Sequence, residues 1–133
     1  MRIPIFRMNP REDLHLNLDG TPDAAPAARH ALQRLNGHLD AGTLEKTRLL
    51  VTELVSNSVK YGAAPSVDVR VVVEDRSLRA EVSDEGPLFT PARRAGGQTH
   101  SGWGLYLMDR LADRWGVVRE GKKTQVWFEL RAA

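Results

Sequence analysis

The sequence predicts an α+β two-layer sandwich, a mixed and mostly antiparallel sheet with three helices on one face. Three observations carry this prediction. Val67, Val69, Val71 and Val73 repeat at period two and turn through 75–77 into Leu78, Ala80 and Val82, the pattern of a hairpin with one buried face. Leu44, Thr47, Leu50, Val51, Leu54, Val55 and Ser58 recur at steps of three and four, the stripe of a helix that covers a core. The elements then run strand, two helices, two strands, loop, helix, two strands, an order that groups the helices against a sheet built from hairpins.

Taken from the start, residues 1–13 carry two prolines and several charges and read as an N-terminal tail, leaving 14–133 as a single domain. Leu14, Leu16 and Leu18 alternate with polar residues as a half-buried strand at a sheet edge. Thr21 and Asp23 offer caps and Pro22 suits a first turn, so the alanine-rich run through Leu35 forms a helix stopped near Gly37. Thr43 is the expected N-cap of the central helix, which Gly62 and Pro65 end. Between Asp84 and Ser101, Gly86, Pro87, Pro91, Gly96 and Gly97 break regular structure and predict a loop. Leu105, Met108, Leu111, Ala112 and Trp115 place a helix just after Gly104, and 115–120 and 124–131 form a last pair of strands around Gly121. Trp103 and Tyr106 are expected to cover local apolar surface rather than a partner.

Composition narrows the function classes. A chain of 133 residues with 41% hydrophobic and 27% charged residues buries a core without disulfides or metal. It has no cysteine, which removes thiolate metal sites and a cysteine nucleophile, and His15, His30, His38 and His100 show no paired ligand spacing. The pI is about 9.3, yet the net charge is only +2 and the basic residues are spread along the chain, so direct nucleic-acid binding is not expected. No apolar run approaches the ~20 residues of a membrane span. MRIPIFRMNPRED lacks an export signal, and the expected location is cytoplasmic.

Three segments carry candidate chemistry. Glu53 and Asn57 stand one helical turn apart, with Lys60 close by, and line one edge of the central helix; at this spacing an ordinary solvated flank is the alternative. Asp84 ends a strand two residues before Gly86, so a carboxylate can meet an exocyclic amino group while the glycine lets a flat ring approach, although Asp-x-Gly also describes a common turn. Gly102 and Gly104 precede the predicted helix, where free backbone N–H groups favour phosphate. No third glycine or repeated βαβ unit supports a dinucleotide-binding fold, and no Gly-Lys-Ser or Gly-Lys-Thr closes a Walker loop.

In order, TELVSNSVKYG, SDEGP, GWGLYLMDRLADRWGV and GKKTQVWFEL resemble the N box, the two glycine boxes and the closing strand of the GHKL ATPases, the Bergerat-fold superfamily. Within it, the chain is most similar to small anti-sigma-factor serine/threonine kinases and their actinobacterial regulatory relatives. The resemblance spans 14–130 and implies ATP and Mg²⁺ as cofactors. It implies Asn57 as a ligand of Mg²⁺ and of the nucleotide, Glu53 as the catalytic base, and Asp84 with Thr124 as readers of adenine, with Gly86 under the base. Gly102, Gly104 and Leu105 would offer amides to the phosphates, and Arg93, Arg94 and His100 would contact them from a lid over 88–101. The implied partners are an antagonist protein phosphorylated on Ser/Thr, a sigma factor, and a second copy in a homodimer. Leu88 stands where the family usually has a further glycine, which leaves a catalytically weak protein-binding module as the alternative.

Overall fold

The computed structural model describes residues 13–60, 64–75, 77–86 and 100–131. Along the chain lie β1 (Asp13–Asp19), α1 (Ala24–Ala31), a 3-10 turn (Leu32–Leu35), α2 (Ala41–Lys60), β2 (Ser66–Glu74), β3 (Ser77–Asp84), α3 (His100–Leu111), β4 (Arg114–Glu120) and β5 (Lys123–Arg131). The strands form one sheet in the order β1-β2-β3-β5-β4. Every pairing in it is antiparallel, so the expected mixed sheet resolves into an antiparallel one. β1 lies at an edge, as its alternation predicts.

Alternation decides which face is buried. Val67, Val69, Val71 and Val73 of β2 stand opposite Asp84, Val82, Ala80 and Leu78 of β3, and Val126, Phe128 and Leu130 of β5 continue the same rows. All these apolar residues are buried. The helices close over that face. α2 packs against α1, α3, β2, β3 and β5, and its predicted stripe is buried throughout. Each large aliphatic side chain removed from water in this layer contributes roughly 1.5–3 kcal/mol, which makes α2 and its sheet face the main stabilising contact of the fold.

Four local details differ from expectation. The first helix gives way at Leu32 to the 3-10 turn before Gly37, whose φ of +96° suits a residue without a Cβ. Thr21 accepts the Asp23 N–H through its hydroxyl at 3.3 Å, whereas Asp23 caps α1 by position with no side-chain bond. Asp40, not Thr43, caps α2: its carboxylate accepts the Thr43 N–H at 3.0 Å and the Thr43 hydroxyl at 2.6 Å. Those bonds hold the Asp40 carboxyl below its ordinary value of 3.8, the Thr43 hydroxyl contributing most. Gly62, the expected stop of α2, and residues 1–12 of the expected tail lie outside the described residues, and Asp13 already belongs to β1.

The sheet's other face is polar and ordered by register. Arg79 stands opposite Glu129 and two residues from Glu81, and it binds both carboxylates, at 3.1 and 3.0 Å. Its guanidinium lies 4.4 Å from the centre of the Trp127 ring. Trp127 in turn covers Gly116, its cross-strand partner, where an added Cβ would come 2.9 Å from the indole nitrogen.

Candidate functional site

β3 and β5 place two buried polar groups side by side. Asp84, the last residue of β3, is the cross-strand partner of Thr124, near the start of β5. Both are buried, and along their strands they continue the helix-facing series after Val82 and before Val126. A buried carboxylate needs hydrogen-bond donors. One is at hand: the Gly86 N–H donates to Oδ1 of Asp84 at 3.0 Å. The turn that Asp-x-Gly describes is therefore formed, and its amide fixes one oxygen of Asp84 and orients the carboxylate. Gly86 thus has a role beyond lack of a side chain, and the Asp-x-Gly spacing is the signal that reveals it.

The helix pair belongs to the same end of the molecule. Asn57 lies in the last turns of α2 and is buried, while Glu53, one turn earlier, is half-buried. Asn57 is thus part of the helix's buried edge and not only of a solvated flank. From there the chain returns at once to the sheet: the Ala64 N–H reaches the Ser58 carbonyl at 3.5 Å, and Val67, three residues on, is the cross-strand partner of Asp84. Gly20, which no local sequence pattern marks, fixes this return. Its N–H donates to the Pro65 carbonyl at 3.0 Å, and a Cβ there would stand 1.9 Å from the Ala64 oxygen. Only glycine allows β1 and the connector to approach this closely.

α3 begins at His100, so Gly102, Gly104 and Leu105 lie within its first half instead of before it. The start of a helix still presents backbone N–H groups that lack intrahelical acceptors. Tyr106 is 49% exposed, with the Arg110 guanidinium 5.6 Å from its ring centre and bonded to its hydroxyl at 3.3 Å. Arg93, Arg94 and Leu88, and with them the predicted lid, lie outside the described residues, as do the side chains of His100 and Trp103.

Among the described residues, no group of three or more His, Asp or Glu residues forms a metal cage. A cavity of about 260 Å³ is lined by Asn17, Asp68, Ser83, Asp84 and Lys123, among others, so Asp84 borders it at the end of β3.

The family model for the histidine kinase-like ATPase domain matches residues 18–130, which takes in Glu53, Asn57, Asp84 and Thr124. The chain belongs to this family. The GHKL resemblance read from four separated motifs is thereby borne out, and ATP is the nucleotide that an ATPase domain implies. Solved structures place the same fold. The RsbU and RsbW domains of Rv1364c from Mycobacterium tuberculosis match this histidine kinase-like ATPase domain with a TM-score of 0.72 at 23% identity, over 91% of this chain and 32% of that one. The blue-light activated histidine kinase EL346 of Erythrobacter litoralis matches at 0.58 and 19% identity, over 80% and 40% of the two chains. The histidine kinase AdeS of Acinetobacter baumannii matches at 0.55 and 12% identity, over 90% and 68%. The chain thus spans about a third of the first of these proteins. No curated protein matches it. Among the described residues, no helix of the domain is long and apolar enough to cross a membrane.

Proposed function

We propose that this histidine kinase-like ATPase domain is a cytoplasmic regulatory kinase of the anti-sigma type, which phosphorylates a Ser or Thr of a small antagonist protein and sequesters a sigma factor. The observation that carries the nucleotide part is the buried pair Asp84 and Thr124, set in register on adjacent strands with one Asp84 oxygen held by the Gly86 amide. Its other oxygen accepts the exocyclic amino group of adenine, and the Thr124 hydroxyl completes that polar contact. Asn57 contributes its amide oxygen to Mg²⁺, and the first turn of α3, with Gly102, offers its free amides to phosphate, while Gly104 and Leu105 follow within the helix. ATP supplies the phosphoryl group that is transferred. Glu53, half-buried one turn before Asn57, takes the proton from the attacking hydroxyl of the antagonist. The motif resemblance assigns Arg93, Arg94 and His100 to the neutralisation of phosphate charge. Positioning and charge neutralisation of this kind suit phosphoryl transfer, which needs little covalent help from the protein.

The regulatory part rests on the motif resemblance and on the fold shared with a structure that contains an RsbW domain. A phosphate added to the antagonist would disfavour its docking through charge and desolvation. Leu88, in place of a glycine, favours a second reading in which the domain holds nucleotide weakly and acts only by capturing its partner. Calorimetric titration with a non-hydrolysable ATP analogue, with and without Mg²⁺, tests the first reading. Tight Mg²⁺-dependent binding is expected, and failure to bind in both conditions would leave the second.

A further inference from the structure

The cavity of about 260 Å³ lies at the end of the sheet where β3 stops and β5 starts, and register explains its walls. Asn17 of β1 stands opposite Asp68 of β2, and Asp68 stands opposite Ser83 of β3, so the three form one cross-strand row. They alternate with Leu16, Val67 and Val82, which pack into the core under the helices, and therefore occupy the sheet's other face. All three line the cavity, together with Asp84, Glu85 and Lys123. The carboxylates of Asp68, Asp84 and Glu85 outnumber the single ammonium of Lys123, which leaves these walls net negative.

Two of these groups are prepared for a ligand that donates hydrogen bonds. The Asp68 carboxylate is held by His15 Nε2, 3.0 Å from each of its oxygens, and by the Asn17 amide, which donates at 3.2 Å. Those bonds fix its orientation and use only part of its acceptor capacity. Ser83 is only 7% exposed, yet its hydroxyl bonds to no described residue. A buried hydroxyl left without a partner costs about 1–3 kcal/mol, a cost that a ligand seated beside it removes. A bare metal ion does not suit the arrangement, because among the described residues no three acidic or histidine side chains converge closely enough to hold one.

We propose that this cavity binds a guanidinium group. Directly opposed residues on neighbouring strands stand about 4.5–5.5 Å apart at their Cβ atoms, so the acceptors of Asp68 and Ser83 are side by side instead of convergent. A guanidinium presents five N–H donors in a planar fork: one edge donates to Asp68, another reaches the Ser83 oxygen, and Glu85 adds its charge. An ammonium, a compact point charge, meets fewer of these acceptors. The volume is below the ~300–1,000 Å³ of pockets for drug-sized ligands and suits a single arginine-like side chain. The cavity touches the proposed adenine contact only through Asp84, and neither Asn57 nor Thr124 is among its described walls.

Amide chemical shifts of the isotope-labelled full chain, followed as ethylguanidine is added, test the proposal. No nucleotide is present, so the result does not depend on the kinase reading. Saturable shifts centred on Asp68 and Ser83 are expected, with n-butylamine binding more weakly and acetate producing none. Asp68→Asn should weaken binding about 10- to 100-fold, and Ser83→Ala about two- to tenfold. Because Asp68 also holds His15 and Asn17, each variant is checked by thermal melting; should Asp68→Asn not fold, Ser83→Ala and the exposed Glu85→Gln decide, both expected to weaken binding. N-acetylarginine amide and free L-arginine then distinguish the source: tighter binding of the blocked residue assigns an arginine of a partner protein, and tighter binding of the free amino acid assigns a small metabolite. Absence of saturable shifts up to about 50 mM, shifts that acetate reproduces, or affinity unchanged by Ser83→Ala and by Glu85→Gln overturns the proposal.

Discussion

Replacing Gly20 by alanine tests whether the connector after α2 is pinned as the structure indicates. The added Cβ would lie 1.9 Å from the Ala64 carbonyl oxygen, 3.0 Å from its carbon and 3.2 Å from the carbonyl carbon of Pro65, where ordinary contact begins at 3.4 Å. All three atoms are backbone, so no side-chain rotation relieves the clash. β1 and the connector must separate, which strains or breaks the bond from the Gly20 N–H to the Pro65 oxygen at 3.0 Å. Overpacking of this kind costs about 1–3 kcal/mol, and the lost hydrogen bond adds about 1 kcal/mol. Reduced freedom of the unfolded chain offsets ~0.4–1 kcal/mol of this, since Gly20 does not hold a left-handed φ. The net expectation is a loss of roughly 1–3.6 kcal/mol. Urea unfolding followed by circular dichroism should show the midpoint falling by at least about 0.3 M, given slopes of ~1–3 kcal/mol per M. A change below about 0.5 kcal/mol, the ordinary scatter of surface substitutions, would refute the close approach of β1 to the connector.

Asp84→Ala should fold yet bind an ATP analogue about 10- to 100-fold more weakly, as expected for losing a charged hydrogen bond of ~1.5–3 kcal/mol; unchanged affinity in calorimetry removes Asp84 from the adenine contact. Glu53→Ala should retain nucleotide affinity and lose phosphoryl transfer to the antagonist, and equal turnover in the two proteins would show that Glu53 is not the base. Asp40→Ala should lower the urea midpoint near neutral pH by removing the α2 cap. The Asp40 carboxyl is held below its ordinary value in the folded chain, so its contribution is complete above that ordinary value and disappears as pH falls through the lowered one. The gap between wild type and Asp40→Ala should therefore close in acid, and a gap that is constant with pH would contradict the capping bonds.

Much of this was legible because one-dimensional periods report faces. The alternation of Val67 to Val73 and the stripe from Leu44 to Ser58 correctly mark what is buried, since burial of apolar area dominates both. Periods do not report neighbours. Nothing local says that β5 lies beside β3 with β4 outside it, and the meeting of Asp84 with Thr124 was implied only through the family resemblance. Gly20 escaped for the same reason: close approach between segments far apart in sequence leaves no nearby pattern. Asp40 and Thr43 are both good capping residues three positions apart, and the structure shows them bonded to each other. The start of α3 was placed too late because Gly102 and Gly104 have low helix propensity, a preference of about 1 kcal/mol each that tertiary context overrides.

The seam between β3 and β5 has a kinetic consequence. Hairpins such as β2–β3 and β4–β5 close over short turns, at Asp75 with φ of +42° and at Gly121 with φ of +60°, and can form early. Their docking onto each other requires closure of the long excursion through α3, the slow, non-local event of such topologies. Asp84 acquires Thr124 only at that moment. In the proposed reading, adenine recognition is then a property of the completed molecule alone, and a nucleotide bound at that pair would draw partly assembled chains toward the finished state by mass action.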